Sequence, residues 1–231
     1  MKRPKEIRAA PKEWIALLRV AYSFLMEQGI GDLLLYGSQA MSVYMTNPLR
    51  SKDLDLLSSQ VSFRQMEALA DKLSEIKEVQ YKTTTAQTRR FEDRKMTTYS
   101  VELRVAGKPF FVEVFDRILD GRPPSILQPY VELTSRWALD LWSPTREAIV
   151  ALRLAFRQPE GITRLNAARL NSFIQENRRS LDFERVAMIL KDWAIENWVE
   201  NNLVQLYRRN RVRILDDNKI IPGIERKIKT Q

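Results

Sequence analysis

The sequence predicts a mixed α/β (α+β) domain followed by a helical C-terminal region, on three observations. Apolar residues recur at helical spacing near 11–28 and 63–76, and they alternate with period two around 53–56 and in a hairpin over 97–115. After Ser143-Pro144 the strand signals stop. The expected division is therefore a mixed domain over 1–142 and a helical one over 143–231. With 231 residues, 44% of them hydrophobic, the chain can bury a substantial core.

The first helix is expected from Pro11 to Gln28, where Trp14, Leu17, Leu18, Ala21, Phe24 and Leu25 form a stripe that Gly29 ends. Leu33 to Tyr36 reads as a buried strand, Gly37-Ser38 as a tight turn, and Gln39 to Met45 as a helix. Leu54 and Leu56 alternate with Asp53 and Asp55, as in a strand with one apolar face. Ser62 with Gln65 forms a capping box for a helix carried by Phe63, Met66, Leu69, Leu73 and Ile76. Tyr99, Val101, Leu103 and Val105 alternate up to a turn at 106–109, and Phe110 to Phe115 returns. Asp120 to Pro124 is a loop. Ser143 is the expected N-cap of a helix with Pro144 at its first position, giving helices near 144–157, 162–178 and 182–209. In the last, Phe183, Val186, Ala187, Leu190, Ala194 and Trp198 share a stripe that reads as core. The tail from Arg211 is charged and is expected to fray.

Two absences narrow the chemistry. With no Cys and no His, disulfides, thiolate nucleophiles, Cys/His zinc sites and imidazole acid-base catalysis are excluded. A metal would have to be held by oxygen, which selects Mg²⁺, Mn²⁺ or Ca²⁺. Lys+Arg 38 against Asp+Glu 29 gives a net charge of +9, which attracts polyanions or serves as an ordinary basic surface. No apolar run reaches the roughly 20 residues of a membrane-spanning helix. Met1 to Glu6 lacks the apolar segment of a secretion signal, so a cytoplasmic protein is expected.

Asp53 and Asp55, two apart on a strand, project from one face about 7 Å apart along the chain. Such carboxylates repel each other unless a cation lies between them. A solvated face paired with Lys52 or Arg50 is the plain alternative. The upstream Gly37-Ser38 changes the balance, because a strand-turn-helix junction offers N–H groups and a hydroxyl to phosphate oxygens.

Leu35-Tyr36-Gly37-Ser38-Gln39-Ala40, followed by Arg50-Ser51-Lys52-Asp53-Leu54-Asp55-Leu56-Leu57, resembles the DNA-polymerase-β-type nucleotidyltransferase superfamily, whose hallmark is Gly-Ser or Gly-Gly and then Asp-x-Asp. Within it the sequence looks most like the AbiEii-like toxin nucleotidyltransferases, over the first half and more weakly through Ser143 to Arg157. The resemblance implies a nucleotidyltransferase-fold sheet with flanking helices and Mg²⁺- or Mn²⁺-dependent transfer of a nucleotide from a nucleoside triphosphate to an acceptor hydroxyl. It also implies RNA or tRNA as acceptor and a cognate antitoxin as partner.

The family needs a third carboxylate on a neighbouring strand, and by that likeness Glu113 is chosen, with Asp116 held in reserve should a bulge invert the facing. Glu102 reads as solvent-facing. Asp53, Asp55 and Glu113 are thus the catalytic and metal-binding candidates, and Gly37, Ser38 and Arg153 the nucleotide-binding ones. Arg153 stands where AbiEii-like toxins carry a lysine, while Asn166 stands where they carry an acid. Arg89, Arg90, Arg94 and Lys95 are candidates for a nucleic-acid backbone, with Arg208, Arg209, Arg211 and Arg213 as a second basic cluster. Rival readings are a catalytically silent protein of the same fold that binds RNA or a partner, and transfer to an aminoglycoside-like small molecule or to a protein hydroxyl.

Overall fold

A computed structural model describes residues 8–91, 93–156 and 161–229. The readings made on Met1 to Glu6 and on position 157 lie outside these residues. The chain divides into two compact units. The first ends at Ser125 and takes back Glu132–Ser143; the second comprises Ile126–Val131 and the chain from Pro144 onward.

In the first unit a five-stranded mixed sheet is built from β1 (Leu34–Leu35), β2 (Asp53–Leu57), β3 (Val79–Phe91), β4 (Arg94–Val105) and β5 (Lys108–Phe115), in the order β1-β2-β5-β4-β3. Only β2 and β5 run parallel; the other neighbours are antiparallel. Helices α1 (Pro11–Glu27), α2 (Gly37–Val43) and α3 (Phe63–Ser74) accompany the sheet. The stripe Trp14, Leu17, Leu18, Ala21 and Leu25 of α1 is buried against Leu54, Leu56, Val112 and Val114, with Met66, Leu69 and Leu73 of α3 completing the core. The capping box of α3 forms as expected: Ser62 Oγ accepts from the Gln65 backbone N–H, and Gln65 Oε1 accepts from that of Ser62.

Several elements depart from the sequence reading. Gly37-Ser38 is no separate turn: α2 begins at Gly37, whose φ of +62° turns the chain directly from strand to helix. Strand β3 was not expected, because Thr83, Thr85, Gln87 and Arg89 on one side and Thr84, Thr88 and Arg90 on the other leave no apolar alternation. A further hairpin, β6 (Val131–Arg136) and β7 (Leu139–Pro144), turns on Trp137 and Ala138 at φ +53° and +57°. These residues carry none of the Gly or Asn signals that usually mark such turns.

The second unit contains α4 (Arg146–Leu154), α5 (Arg164–Asn177), α6 (Phe183–Asp192), α7 (Glu196–Asn210), α8 (Asp217–Ile220) and α9 (Ile224–Lys229). Its first helix is capped by Thr145, not Ser143, because Pro144 still belongs to β7. The expected helix over 182–209 is two helices, broken where Ala194 takes φ +49°; Ala194 is exposed while Trp193 and Ile195 are buried. Within the described residues the tail is packed too. Ile214, Ile220, Ile221 and Ile224 are buried, and Arg213 pairs with Asp217 at 2.5 Å. Helices of four and six residues are too short to show a period in the sequence.

Candidate metal and nucleotide site

The alternation of β2 and β5 sets the site. Leu54 and Leu56 on β2, with Phe110, Val112 and Val114 on β5, are fully buried on one face. A slip of one residue would drive the acids into the core, so the register is fixed. It places Asp55 opposite Glu113 and Asp53 opposite Phe111 on the other face. Asp53, Asp55 and Glu113, all half-buried, each offer a carboxylate oxygen within 4.8 Å of the others.

The rest of the junction holds these acids in place. The Tyr36 N–H donates to the Asp55 carbonyl at 3.0 Å as the chain enters α2. A Cβ built on Gly37 would lie 1.8 Å from Asp55 Oδ2, so the close approach admits glycine alone. Strand β1 pairs only with Leu56 and Leu57, and the exposed edge of β2 before them is met by a side chain. The fully buried Gln39 donates from Nε2 to the Asp53 carbonyl at 2.5 Å and accepts at Oε1 from the Asp55 N–H at 3.4 Å. Its amide thus substitutes for a neighbouring strand.

Ser51, itself buried, donates from Oγ to Asp53 Oδ1 at 2.8 Å, and the buried Ser38 Oγ lies 3.0 Å from Ser51 Oγ. The Ser38 hydroxyl is thus linked to Asp53 through Ser51. The first N–H groups of α2 remain those without intrahelical partners. Gln39 and Ser51 were missed as site residues, although they stand within the stretches Leu35 to Ala40 and Arg50 to Leu57. Ser51 lies two residues before Asp53, a same-face spacing that could have found it.

Burial raises the pKa of Glu113, the negative charge of Asp53 raises it further, and Lys52 and Arg89 oppose the shift. An all-oxygen cluster in which the charge of Asp53 bears on Glu113 suits a hard divalent cation, which would relieve the repulsion. Asp116 stands apart from the cluster. It follows the end of β5, and its Oδ1 accepts from the Thr97 N–H at 2.6 Å. Glu102, expected to face solvent, is half-buried and lies on the face that carries Glu113, two residues along β4 from Ser100, the cross-strand partner of Glu113.

Arg89 and Arg90 near the end of β3, and Arg94 and Lys95 at the start of β4, come together at the tip of one hairpin, with Arg90 opposite Lys95. Arg94 is engaged with Asp120 at 3.5 Å. Arg153 lies on α4 in the second unit, its guanidinium 5.9 Å from the Phe156 ring centroid. In the second basic cluster, Arg213 is neutralised by Asp217 and Glu225.

No known family's sequence profile and no curated protein sequence matches the chain. Solved structures do. The fold is similar to that of a protein from H. pylori described as a candidate nucleotidyltransferase, at 13% identity, covering 96% of this chain and 98% of the other with a TM-score of 0.53. It is also similar to the antibiotic-resistance factor ANT(2'')-Ia, at 11% identity, covering 80% and 94%, TM-score 0.51. JHP933 from Helicobacter pylori matches at 12% identity, covering 96% of each chain, TM-score 0.51. The mixed sheet with its flanking helices is a nucleotidyltransferase fold.

Proposed function

We propose that the protein is a metal-dependent nucleotidyltransferase that moves a nucleotide from a nucleoside triphosphate to an acceptor hydroxyl. The observation that carries this reading is the convergence of Asp53, Asp55 and Glu113 beside a glycine junction with no room for a side chain. The three carboxylates would hold Mg²⁺ or Mn²⁺, which screens the triphosphate and lowers the pKa of a bound hydroxyl. Glu113, whose pKa burial and Asp53 already raise, is the group suited to take the proton of the attacking hydroxyl. Asp53 is oriented by Ser51, and Asp55 by contact with Gly37. The backbone N–H groups at Gly37 and Ser38 face the phosphates as the start of a helix does, while the Ser38 hydroxyl supports Asp53 through Ser51. Arg153 is assigned to the triphosphate on the strength of the resemblance.

The acceptor in this reading is RNA, tRNA included. Four basic residues at the hairpin tip and the net charge of +9 support it. The kinship to AbiEii-like toxins, a cognate antitoxin partner and a cytoplasmic location belong to the same reading. Among the described residues no helix is long and apolar enough to cross a membrane. Incubation with each α-labelled nucleoside triphosphate, Mg²⁺ and total RNA tests the proposal. Label should enter RNA with one nucleotide preferred; label that stays in free nucleotide under every condition defeats the reading.

A further inference from the structure

Strands β3 and β4 continue the acid-bearing face of the sheet into a polar cleft. One row runs across four strands: Thr85, Ser100, Glu113 and Asp55 are successive cross-strand partners. With strands about 4.8 Å apart, Ser100 is one step and Thr85 two steps from the third carboxylate. Gln87 and Thr98, paired in the next row, and Glu102 complete a cleft of about 210 Å³, and the ring of Phe111 walls it beside Glu113. That volume is below the roughly 300–1,000 Å³ of pockets that enclose drug-sized ligands, so the cleft takes one ring or one side chain.

Its chemistry narrows the occupant further. Hydroxyls, an amide and two carboxylates line it, and among the described lining residues there is no Lys or Arg. Beside the two carboxylates a phosphate or carboxylate is disfavoured, Lys52 and Arg89 offsetting only part of the charge at Glu113 from outside the lining, whereas a group rich in hydroxyl donors would be satisfied. Glu102 lies opposite Phe111 and Glu113 opposite Ser100, so the two acids are diagonal neighbours, roughly 7–8 Å apart at the backbone. Both carboxylates line the cleft, so a pair of adjacent hydroxyls can donate one hydrogen bond of about 2.8 Å to each.

We infer that this cleft seats the acceptor and that it takes a sugar ring bearing two neighbouring hydroxyls, such as a terminal ribose or a free sugar. Glu102 is a positioning residue: it accepts from the hydroxyl that does not react, and the other is thereby presented to Glu113. Carboxylates recognise ribose diols elsewhere in the same way. The inference rests on the nucleotidyl-transfer reading for the fate of the second hydroxyl. Its oxygen bonds to the α-phosphorus, the α–β phosphoanhydride bond breaks, pyrophosphate leaves with the electron pair, and the proton passes to Glu113. The seating of the ring does not depend on turnover.

The test therefore begins with binding. Protein labelled at threonine methyl groups, with Mg²⁺ and a non-hydrolysable nucleoside triphosphate analogue, is titrated by NMR with ribose and with 2-deoxyribose, each locked in the five-membered ring as its methyl furanoside. Ribose should shift the Thr85 and Thr98 methyl signals saturably. The shift should need about tenfold more ribose in Glu102→Gln, and more also in Thr85→Val. Binding of the triphosphate analogue should be unchanged in both variants, and 2-deoxyribose should bind poorly. No saturable shift with ribose, an equal response to 2-deoxyribose, or indifference to Glu102→Gln overturns the inference. Transfer from α-labelled nucleotide then separates the sources: label that enters RNA but does not enter RNA whose 3′ diol was first oxidised with periodate identifies a polymer end, and label on free ribose identifies a small molecule. Intact ribose binding with no transfer to either counts against nucleotidyl transfer and leaves the diol cleft standing.

Discussion

Replacing Gly37 by alanine probes the geometry of the site through a single methyl group. Two costs follow from the structure. At φ +62° a non-glycine residue pays the left-handed penalty, about 1–2 kcal/mol. The new Cβ also falls 1.8 Å from Asp55 Oδ2 and 2.6 Å from its Cγ, so the carboxylate must leave the cluster. Gly107→Ala is the internal control, because Gly107 has φ +76° and nothing within 4 Å of a built Cβ. Both variants should lose roughly 2–8 °C in melting temperature from backbone strain, at about 2–4 °C per kcal/mol. Mn²⁺ is expected to raise the melting temperature of the native protein and of Gly107→Ala, and only Gly37→Ala should lose that rise. Thermal unfolding with and without Mn²⁺ reads both effects. A Gly37→Ala protein that keeps the full Mn²⁺ response would refute the contact between the glycine junction and Asp55.

Three further outcomes follow from the same geometry. Asp53→Asn should abolish nucleotide transfer, by at least two orders of magnitude on the scale expected for a lost metal ligand, while circular dichroism stays native; activity surviving in the folded variant would remove Asp53 from the site. Glu113→Gln should stabilise the metal-free protein at neutral pH. The folded pKa of Glu113 is raised, so stability present below the unfolded value is lost as pH rises through the folded one. Melting temperatures in EDTA across that window should show the variant's advantage closing as the pH falls, and an advantage independent of pH would contradict the burial argument. Reversing Arg89 and Arg90 to Glu should weaken RNA binding and flatten its dependence on salt, since each lost phosphate contact releases about one fewer counterion; an unchanged salt slope in a filter-binding titration would move the RNA path elsewhere.

What the sequence disclosed and what it hid divide along physical lines. The alternation Asp53-Leu54-Asp55-Leu56 and the run Phe110 to Phe115 are legible because each strand has one wet and one buried face, and that contrast writes a period of two. The same contrast fixes the register that brings Glu113 beside Asp55. Strand β3 has no such contrast, since its one apolar core position is Val79 at the start, and its Thr-rich course leaves β-propensity as the sole signal. The role of Gln39 was hidden for another reason. Its hydrogen bonds depend on where a two-residue strand stops, and on which side chain then reaches the edge of β2. Glu102 sits in an alternation that correctly places it away from the core. The sequence alone does not reveal that this outer face is the one bearing the acids.

Direct measurement of Mn²⁺ binding by electron paramagnetic resonance tests the central claim, that Asp53, Asp55 and Glu113 form one cation site. Asp53→Asn and Asp55→Asn should each abolish binding at the concentration that saturates the native protein, and Glu113→Gln should weaken it. Asp116→Asn and Glu102→Gln should titrate like the native protein, because neither side chain is among the three whose oxygens converge within 4.8 Å. Native Mn²⁺ affinity in Asp53→Asn and Asp55→Asn, or a loss confined to Asp116→Asn, would contradict the account.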